Sequence, residues 1–299
     1  MARTYPPDVI VVDTDGLLHA RFNRGSKGPD LEQAKAYRYP SDTTFKSGVV
    51  TPELTDEVSF TETLRRVRSE SGKWDRVSLL LPDSWFRINI LELPSLSDRP
   101  HEAMHAVRWS LKRTLPIPPE SLRVAYEILS RNGSAVKLLV VSAVENTLSG
   151  LERLFTAADV EVVLIEPVGL NIWNAITVRE QSTTRDRILV HVRDHDFTTA
   201  VFRGPLPMFI RSRNLSGERT LQQEIRLSAS YLRDALQAVS VERCYFASNR
   251  DDADVRDALA AEFGAPVVPV VLRDYVDREP SQSTGMEAEL TACTGVFTG

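Results

Sequence analysis

The stretch Leu79–Leu129, LLLPDSWFRINILELPSLSDRPHEAMHAVRWSLKRTLPIPPESLRVAYEIL, alternates between strand and helix patterns. A strand over Phe86–Leu93 precedes an amphipathic helix predicted over about Arg99–Leu115. The proline-rich run 116–119 ends this helix, because proline lacks an N–H and clashes with the preceding turn. An alternating strand follows over Leu122–Leu129. The order strand, helix, strand predicts a small α/β module inserted in a larger chain.

The two halves of the chain around this module follow similar patterns. In the first half, Val9–Val12 and Leu18–Phe22 are apolar strands joined by Asp-Gly, a strong signal for a β-hairpin. Residues 31–56 are polar and weakly patterned. The second half begins with three predicted strands and continues with a long predicted helix, at 188–192, 198–203, 208–213 and 216–239. Two related α/β domains follow from this repeated layout.

Composition narrows the class of protein. The net charge of −5 disfavours nucleic-acid binding, which depends on cations that neutralise phosphates. The two cysteines, Cys244 and Cys293, stand far apart and in no metal-ligand spacing. No apolar run approaches the roughly 20 residues of a membrane helix, and the start MARTYPPD has no signal-peptide core. These features predict a cytoplasmic chain without direct membrane insertion.

The order strand, LPxL (Leu93–Leu96), helix, proline run, strand resembles the inserted subdomain (1C) of the PilM family of type IV pilus assembly. The cytoplasmic part of GspL, from type II secretion, is similar. The segment EIRLSASYL at 224–232 is similar to the EIxxSxxY helix of PilM. The resemblance implies an actin-like (ribonuclease H-like) two-domain ATPase fold. Its subdomains would be 1–82 with 166–186 (1A-like), 83–165 (1C-like) and 187–299 (2A-like).

The loops that bind nucleotide in actin-like proteins are degenerate in this chain. The first hairpin, expected as Asp-x-Gly-Ser/Thr, is Asp13-Thr14-Asp15-Gly16, with a carboxylate where small residues let backbone N–H groups approach phosphates. In the second hairpin, His191 replaces the magnesium-side Asp, Arg193 replaces Gly, and Asp194 follows. The third loop, expected as Gly-Gly, contains Ser248 and Asn249.

The lid subdomain (2B) of the family is also missing from the pattern. Only about ten residues, Asn214–Gln223, separate the last strand of the second meander from the EIxxSxxY helix. Together with the loops, this predicts a fold that has lost ATP binding, with no cofactor. A retained role as an ATP/Mg-dependent switch remains the alternative.

One motif indicates metal chemistry. His101-Glu102-Ala103-Met104-His105 matches H-E-x-x-H, in which two histidines bind zinc and the glutamate is the general base. Arg108 and Lys112 continue the same helix face, and two permanent cations disfavour a divalent metal there. We expect a cationic stripe and no metal site.

A second motif indicates phosphatase chemistry. The segment VIVVDTDGL, Val9–Leu17, resembles the first motif of haloacid-dehalogenase-type phosphatases, in which the first Asp, here Asp13, attacks phosphorus. Leu17 replaces the expected Thr, and a strand follows where a loop and helix are expected. This is the enzymatic alternative to a non-catalytic protein.

The resemblance also implies a partner. A PilM-like protein binds the cytoplasmic tail of the inner-membrane protein PilN between its core and the inserted module. We therefore expect a tail groove bounded by Phe86–Leu93 and Arg99–Leu115, with Trp85, Arg108 and Trp109 as contact residues. The predicted function is a non-catalytic scaffold of a pilus or secretion platform, held at the inner membrane by its partner. Contacts with other platform proteins are expected, and homodimerisation is left open.

Overall fold

A computed structural model describes residues 5–25, 28–42, 44–46, 53–112, 115, 117–180, 184–193, 196–215, 220–235, 241–250, 252–278 and 285–298. Within these residues the helices are α1 (Glu57–Ser71), α2 (Pro100–Leu111), α3 (Glu145–Thr156), α4 (Val168–Arg179), α5 (Leu221–Ala235), α6 (Ala253–Phe263) and α7 (Glu287–Gly295). The strands are β1 (Asp8–Val12), β2 (Gly16–Arg24), β3 (Pro29–Arg38), β4 (Phe45–Lys46), β5 (Glu53–Leu54), β6 (Arg76–Leu81), β7 (Phe86–Leu93), β8 (Leu122–Asn132), β9 (Ala135–Val144), β10 (Glu161–Pro167), β11 (Asp186–Val192), β12 (Asp196–Arg203), β13 (Leu206–Asn214), β14 (Val241–Ser248) and β15 (Val267–Pro269).

Two five-stranded sheets share one topology. The first has the order β10-β6-β1-β2-β3 and the second β15-β14-β11-β12-β13. In each, an antiparallel meander continues from a central strand, and two parallel strands lie on its other side. The repeated layout predicted from the sequence is confirmed, and the fold is the two-domain actin-like architecture.

The helices form layers between and outside these sheets. Helices α1 and α3 cover the outer face of the first sheet through Phe60, Leu151 and Phe155, while α5 and α6 cover the outer face of the second. Helices α4 and α7 lie between the sheets in a shared core, in which the rings of Trp173 and Phe202 stack at 3.6 Å between centroids. This central layer brings the tips of the hairpins β1–β2 and β11–β12 to one cleft.

Strand β3 was not predicted. The sequence pattern is weak at β3 because it is an edge strand, in which Leu31 and Tyr37 are buried and the residues between them are half-buried or exposed. The structure pairs it antiparallel with β2, so the first hairpin is extended to a three-stranded meander.

The inserted module is a three-stranded antiparallel sheet, β7-β9-β8, covered on one face by α2. Val107 and Leu111 of the helix pack against Val136, Leu138 and Val140 of the sheet. The helix ends at Leu111, earlier than the predicted Leu115.

Strand β10 differs from its predicted place. Residues 161–165 were assigned to the inserted module, but the strand pairs in parallel with β6 of the first sheet. Helix α3 packs with α1 in the same core. The short connection through α3 returns the chain to the first sheet, as expected for a strand–helix–strand unit.

Six residues, 215–220, separate the end of β13 at Asn214 from the start of α5 at Leu221, which is too few for a lid subdomain. Residues 216–219 and 236–240, which belong to the predicted long helix, lie outside the described residues. Among the described helices, none combines the length and the apolar character that a membrane span requires.

Candidate functional site

The three predicted nucleotide loops meet at one cleft of about 1230 Å³ between the two halves. Its lining includes six of the predicted residues: Asp13, Thr14, Asp15, Arg193, Ser248 and Asn249. Gly16 and His191 are not part of this lining, and Asp194 lies outside the described residues. The predicted loops therefore line this cleft, while Glu289, a partner of Arg193, lies outside all three of them.

Arg193 joins the two halves across this cleft. Its guanidinium forms an ion pair with Asp13 at the tip of the first hairpin, and its Nε lies 3.1 Å from Glu289 Oε1 in α7. The side chain of Arg193 is 6% exposed and that of Glu289 is 1% exposed. Burial by itself lowers the pKa of Arg193, but the charges of Asp13 and Glu289 raise it overall, so the guanidinium stays charged.

Asp13 also satisfies the backbone of its own loop. Its Oδ1 accepts the Thr14 N–H at 2.7 Å, and the Asp13 N–H donates to the carbonyl of Gly16 at 2.9 Å. Burial, and then the neighbouring charge of Asp13, raise the pKa of Asp15. The hairpin thus presents carboxylates to the cleft. The backbone N–H groups of Asp13 and Thr14 donate to acceptors within the hairpin itself.

A buried pair beside the cleft also connects the halves. His191 Nδ1 lies 3.4 Å from Asp83 Oδ2, and Asp83 Oδ1 accepts the Gly169 N–H at 2.7 Å near the start of α4. Burial opposes ionisation of Asp83, but the hydrogen bond and charge of His191 lower its pKa overall. His191 therefore contacts a carboxylate from the other half, and nothing in the motif indicated Asp83 as its partner.

Asp196 and Ser84 make a further link of this kind. Ser84, in the turn before β7, lies beside Asp196 at the start of β12. Burial raises the pKa of Asp196, while Ser84 favours the ionised form of its carboxyl, which lowers the pKa.

The third loop is hydrogen-bonded to α7. Asn249 Nδ2 donates to Glu289 Oε2 at 2.6 Å, and its Oδ1 accepts the Ala288 N–H at 3.3 Å. Ser248 Oγ accepts the Arg250 N–H. Asn249 therefore caps the helix that carries Glu289 and orients that carboxylate towards Arg193.

Gly16 has a packing role. A Cβ at this position would lie 2.2 Å from the Tyr37 carbonyl oxygen on β3. The glycine is needed for the close approach of β2 and β3, a reason that does not involve a ligand.

The predicted partner contacts are spread over different environments. Trp85, predicted as a partner contact, is 2% exposed and packs on Phe45, with ring centroids 5.2 Å apart. Trp109 is 62% exposed on α2. Arg108 donates hydrogen bonds to the carbonyls of Pro119 and Leu122, which tie α2 to the loop that follows it.

Of the two elements expected to bound the groove between core and module, β7 contributes Phe86 to its lining and α2 contributes no residue. Because α2 packs directly on its sheet, the groove lies on the opposite face, against β10 and α3. It has a volume of about 230 Å³. Its apolar lining is Phe86, Ala125, Val141, Ala143, Leu148, Val162, Val163, Leu164 and Ile165.

Charge is concentrated at one side of this groove. Arg123 forks between Glu145 and Glu152, with nitrogen–oxygen distances of 2.5 Å to each. Strand β10 is the terminal strand of its sheet, and its residues Val162–Ile165 belong to the apolar lining of the groove. Arg123 was not predicted, because its partners come from α3 and the groove exists only once β10 pairs with β6.

The histidines of the H-E-x-x-H motif lie on the exposed face of α2. Glu102 accepts hydrogen bonds from Ser97 and Arg99 at 2.7 and 2.8 Å. Among the residues that the structure describes, no three His, Cys, Asp or Glu side chains are grouped so as to hold a metal ion.

The segment that resembles the phosphatase motif is not followed by the loop and helix that such phosphatases have at this place. The segment after Gly16 is β2, paired antiparallel with β1, as the sequence pattern predicted. The Asp13 carboxylate contacts Arg193 and the Thr14 N–H.

Comparison with solved structures identifies the fold. The chain matches a chain of the PilM–PilN type IV pilus biogenesis complex with a TM-score of 0.78 and 16% identity, over 96% of this chain and 97% of that one. A Bacteroides thetaiotaomicron protein with an actin-like ATPase fold and unknown function matches with a TM-score of 0.54 and 13% identity, over 95% of each chain. The cytoplasmic domain of EpsL, an inner-membrane component of the Vibrio cholerae type II secretion system, matches with 0.53 and 10%, over 98% of this chain and 94% of that one.

No family model matches the chain, and no curated protein sequence matches it significantly. The fold is therefore PilM-like and actin-like, while sequence identity is too low to carry function by itself.

Proposed function

We propose that the chain is a non-catalytic scaffold of a type IV pilus or type II secretion-like assembly platform, located in the cytoplasm at the inner membrane. The observation that carries this proposal is the match to a chain of the PilM–PilN complex, which extends over almost the full length of both chains. The second similarity, to the EpsL cytoplasmic domain, supports the same setting.

The scaffold would bind the cytoplasmic tail of a PilN-like membrane partner in the groove between the module and β10. Three features support this location. The lining is apolar, the edge of β10 offers backbone groups to an extended peptide, and Arg123 with its two glutamates adds polar groups at the side. Trp109 and Arg108, on the opposite face of the module sheet, do not line this groove.

We propose further that the scaffold works without nucleotide. The three loops fit the phosphates of a nucleotide poorly, because Asp13 and Asp15 place carboxylates on the cleft and Arg193 is paired with Asp13 and Glu289. The hydrogen bonds of Asn249 to α7 leave this side chain occupied as well.

Tail binding is tested by titrating a labelled PilN-like tail peptide against the wild-type protein and two variants. Val163→Asp places a charge in the apolar groove, and we expect at least a tenfold weaker binding, about 1.4 kcal/mol. The matched variant Trp109→Ala, on α2, should bind like the wild type. If Trp109→Ala weakens binding and Val163→Asp does not, the tail binds at α2 and not in this groove. If the wild-type protein does not bind the peptide, the proposal is refuted.

The nucleotide question is tested by the melting temperature with and without millimolar Mg-ATP. A ligand of the native state at a hundredfold excess over Kd stabilises it by about 2.7 kcal/mol, an easily measured shift. We expect no shift. A clear shift would favour the alternative function, a nucleotide-dependent switch. Hydrolysis of a generic aryl phosphate that is abolished in Asp13→Asn would instead favour a phosphatase.

A further inference from the structure

We infer that Arg193 is an internal bridge that takes the place of a bound ligand and holds the two halves of the fold together over the cleft. The side chain belongs to the second hairpin and reaches Asp13 at the tip of the first hairpin. It contacts Glu289 in the central helix layer at the same time. One guanidinium thus connects both hairpins and α7.

The geometry suits a permanent link. A guanidinium presents several donors in a rigid fork, so a single arginine can serve two carboxylates from different directions. Glu289 is held for this purpose by Asn249, which donates to its second oxygen at 2.6 Å. Because the bridge is buried, salt screens it less than a surface ion pair.

The balance of charges at the cleft also supports Arg193 as a bridge between the halves. Asp13, Asp196 and Glu289 line the cleft near Arg193, and Asp83 lies close to it. Without the guanidinium these carboxylates would repel one another across the cleft. The arginine therefore supplies, from within the chain, the positive charge that would otherwise have to be bound from solution.

Two further contacts between the halves lie beside this bridge, in addition to the core that the halves share around α4 and α7. Asp83 of the first half lies close to His191, and Ser84 lies beside Asp196. With the bridge intact, closure of the cleft needs no ligand, and a partner bound at the module groove meets one fixed arrangement of the halves. This inference goes beyond tail binding, and its test has a separate readout.

The test measures the distance between the halves by pulsed electron paramagnetic resonance. Spin labels are attached at Glu62→Cys on α1 and Asp257→Cys on α6, both exposed positions, while the native cysteines are buried. We expect one narrow distance distribution, unchanged by Mg-ATP. Arg193→Gln should broaden the distribution and lengthen its mean.

A control tests whether the loss of any paired arginine in the second half broadens the distribution. Arg203→Gln removes an arginine that pairs with Asp186 within the second sheet, so the distribution should stay narrow. Equal broadening in this control, or no broadening in Arg193→Gln, would overturn the inference. Narrowing of the wild-type distribution by Mg-ATP would also overturn it, since a ligand would then be needed for closure.

A milder variant covers the case in which Arg193→Gln fails to fold. Asp13→Asn leaves Arg193 paired with Glu289 and removes only the charge on the first hairpin. It should broaden the distribution in the same direction. An unchanged distribution in this folded variant would contradict the bridge.

Discussion

Arg193 Nε lies 3.1 Å from Glu289 Oε1, so a hairpin tip of the second half is joined to the helix that packs between the sheets. Both side chains are buried, and the same guanidinium pairs with Asp13. Arg193, which departs from the glycine expected in the second nucleotide loop, therefore forms ion pairs that connect parts of the fold.

The first prediction concerns the energy of this pair. Arg193→Gln leaves Glu289 buried without its cation, and breaking a buried pair from one side costs about 3–5 kcal/mol. Asp13→Asn acts on the side chain that is 29% exposed and should cost about 1 kcal/mol or less. Chemical denaturation of the two variants and the wild type measures both values, and equal losses would contradict the assignment.

The second prediction concerns pH. Burial raises the pKa of Asp196 in the folded state, so its ionisation destabilises the fold as pH rises through that folded pKa. Asp196→Asn removes the charge and keeps the size of the side chain, so it should raise the melting temperature at pH 7.5. The gain should shrink as pH falls towards the unfolded pKa of about 3.9, where the wild-type side chain is protonated in both states. A gain in melting temperature that grows as the pH falls would contradict this prediction.

The third prediction concerns Gly16. Gly16→Ala forces a Cβ against the Tyr37 carbonyl oxygen and should destabilise the chain by about 1–3 kcal/mol. Gly150→Ala in α3 is the matched change, because nothing lies within 4 Å of the added Cβ. It should stabilise the chain by about 0.5–1 kcal/mol. Melting curves of the two variants check the difference, and similar values would exclude the packing role of Gly16.

The fourth prediction separates two tryptophans that the sequence treats alike. Trp85→Ala opens a cavity beside Phe45 and should cost about 3–5 kcal/mol. Trp109→Ala changes an exposed side chain and should alter the free energy of unfolding by no more than about 0.5 kcal/mol. Denaturant titrations provide the measurement. A large loss in Trp109→Ala would mean that this ring packs more tightly than its exposure indicates.

Much of the fold could be predicted because hydrophobic periodicity is a local property of the chain. The buried strand Val9–Val12, the Asp-Gly hairpin after it and the proline stop after α2 each depend on residues close in sequence. The repetition of these patterns in both halves was sufficient to predict two related domains. Strand β3 was missed because an edge strand buries few of its side chains and leaves a weak pattern.

The candidate sites were predicted only in part. The sequence placed Asp13 and Arg193 in loops that meet at one cleft, because the fold itself brings these loops together. It did not indicate Glu289 as the shared partner of Arg193 and Asn249, since no local pattern connects them. In the same way, the groove for which we propose tail binding lies against β10 and not α2, because sheet pairing, and not the order of elements, decides which strand lies beside the module.

The sequence by itself therefore determined most of the elements, the repeated halves and the presence of an inserted module, through periodicity and turn chemistry that act over a few residues. Only the tertiary structure decided that Arg193 lies between Asp13 and Glu289, that Trp85 is buried and Trp109 exposed, and that β10 borders the groove. These outcomes depend on contacts between distant segments, and burial and ion pairing are set by what the folded chain places around each side chain.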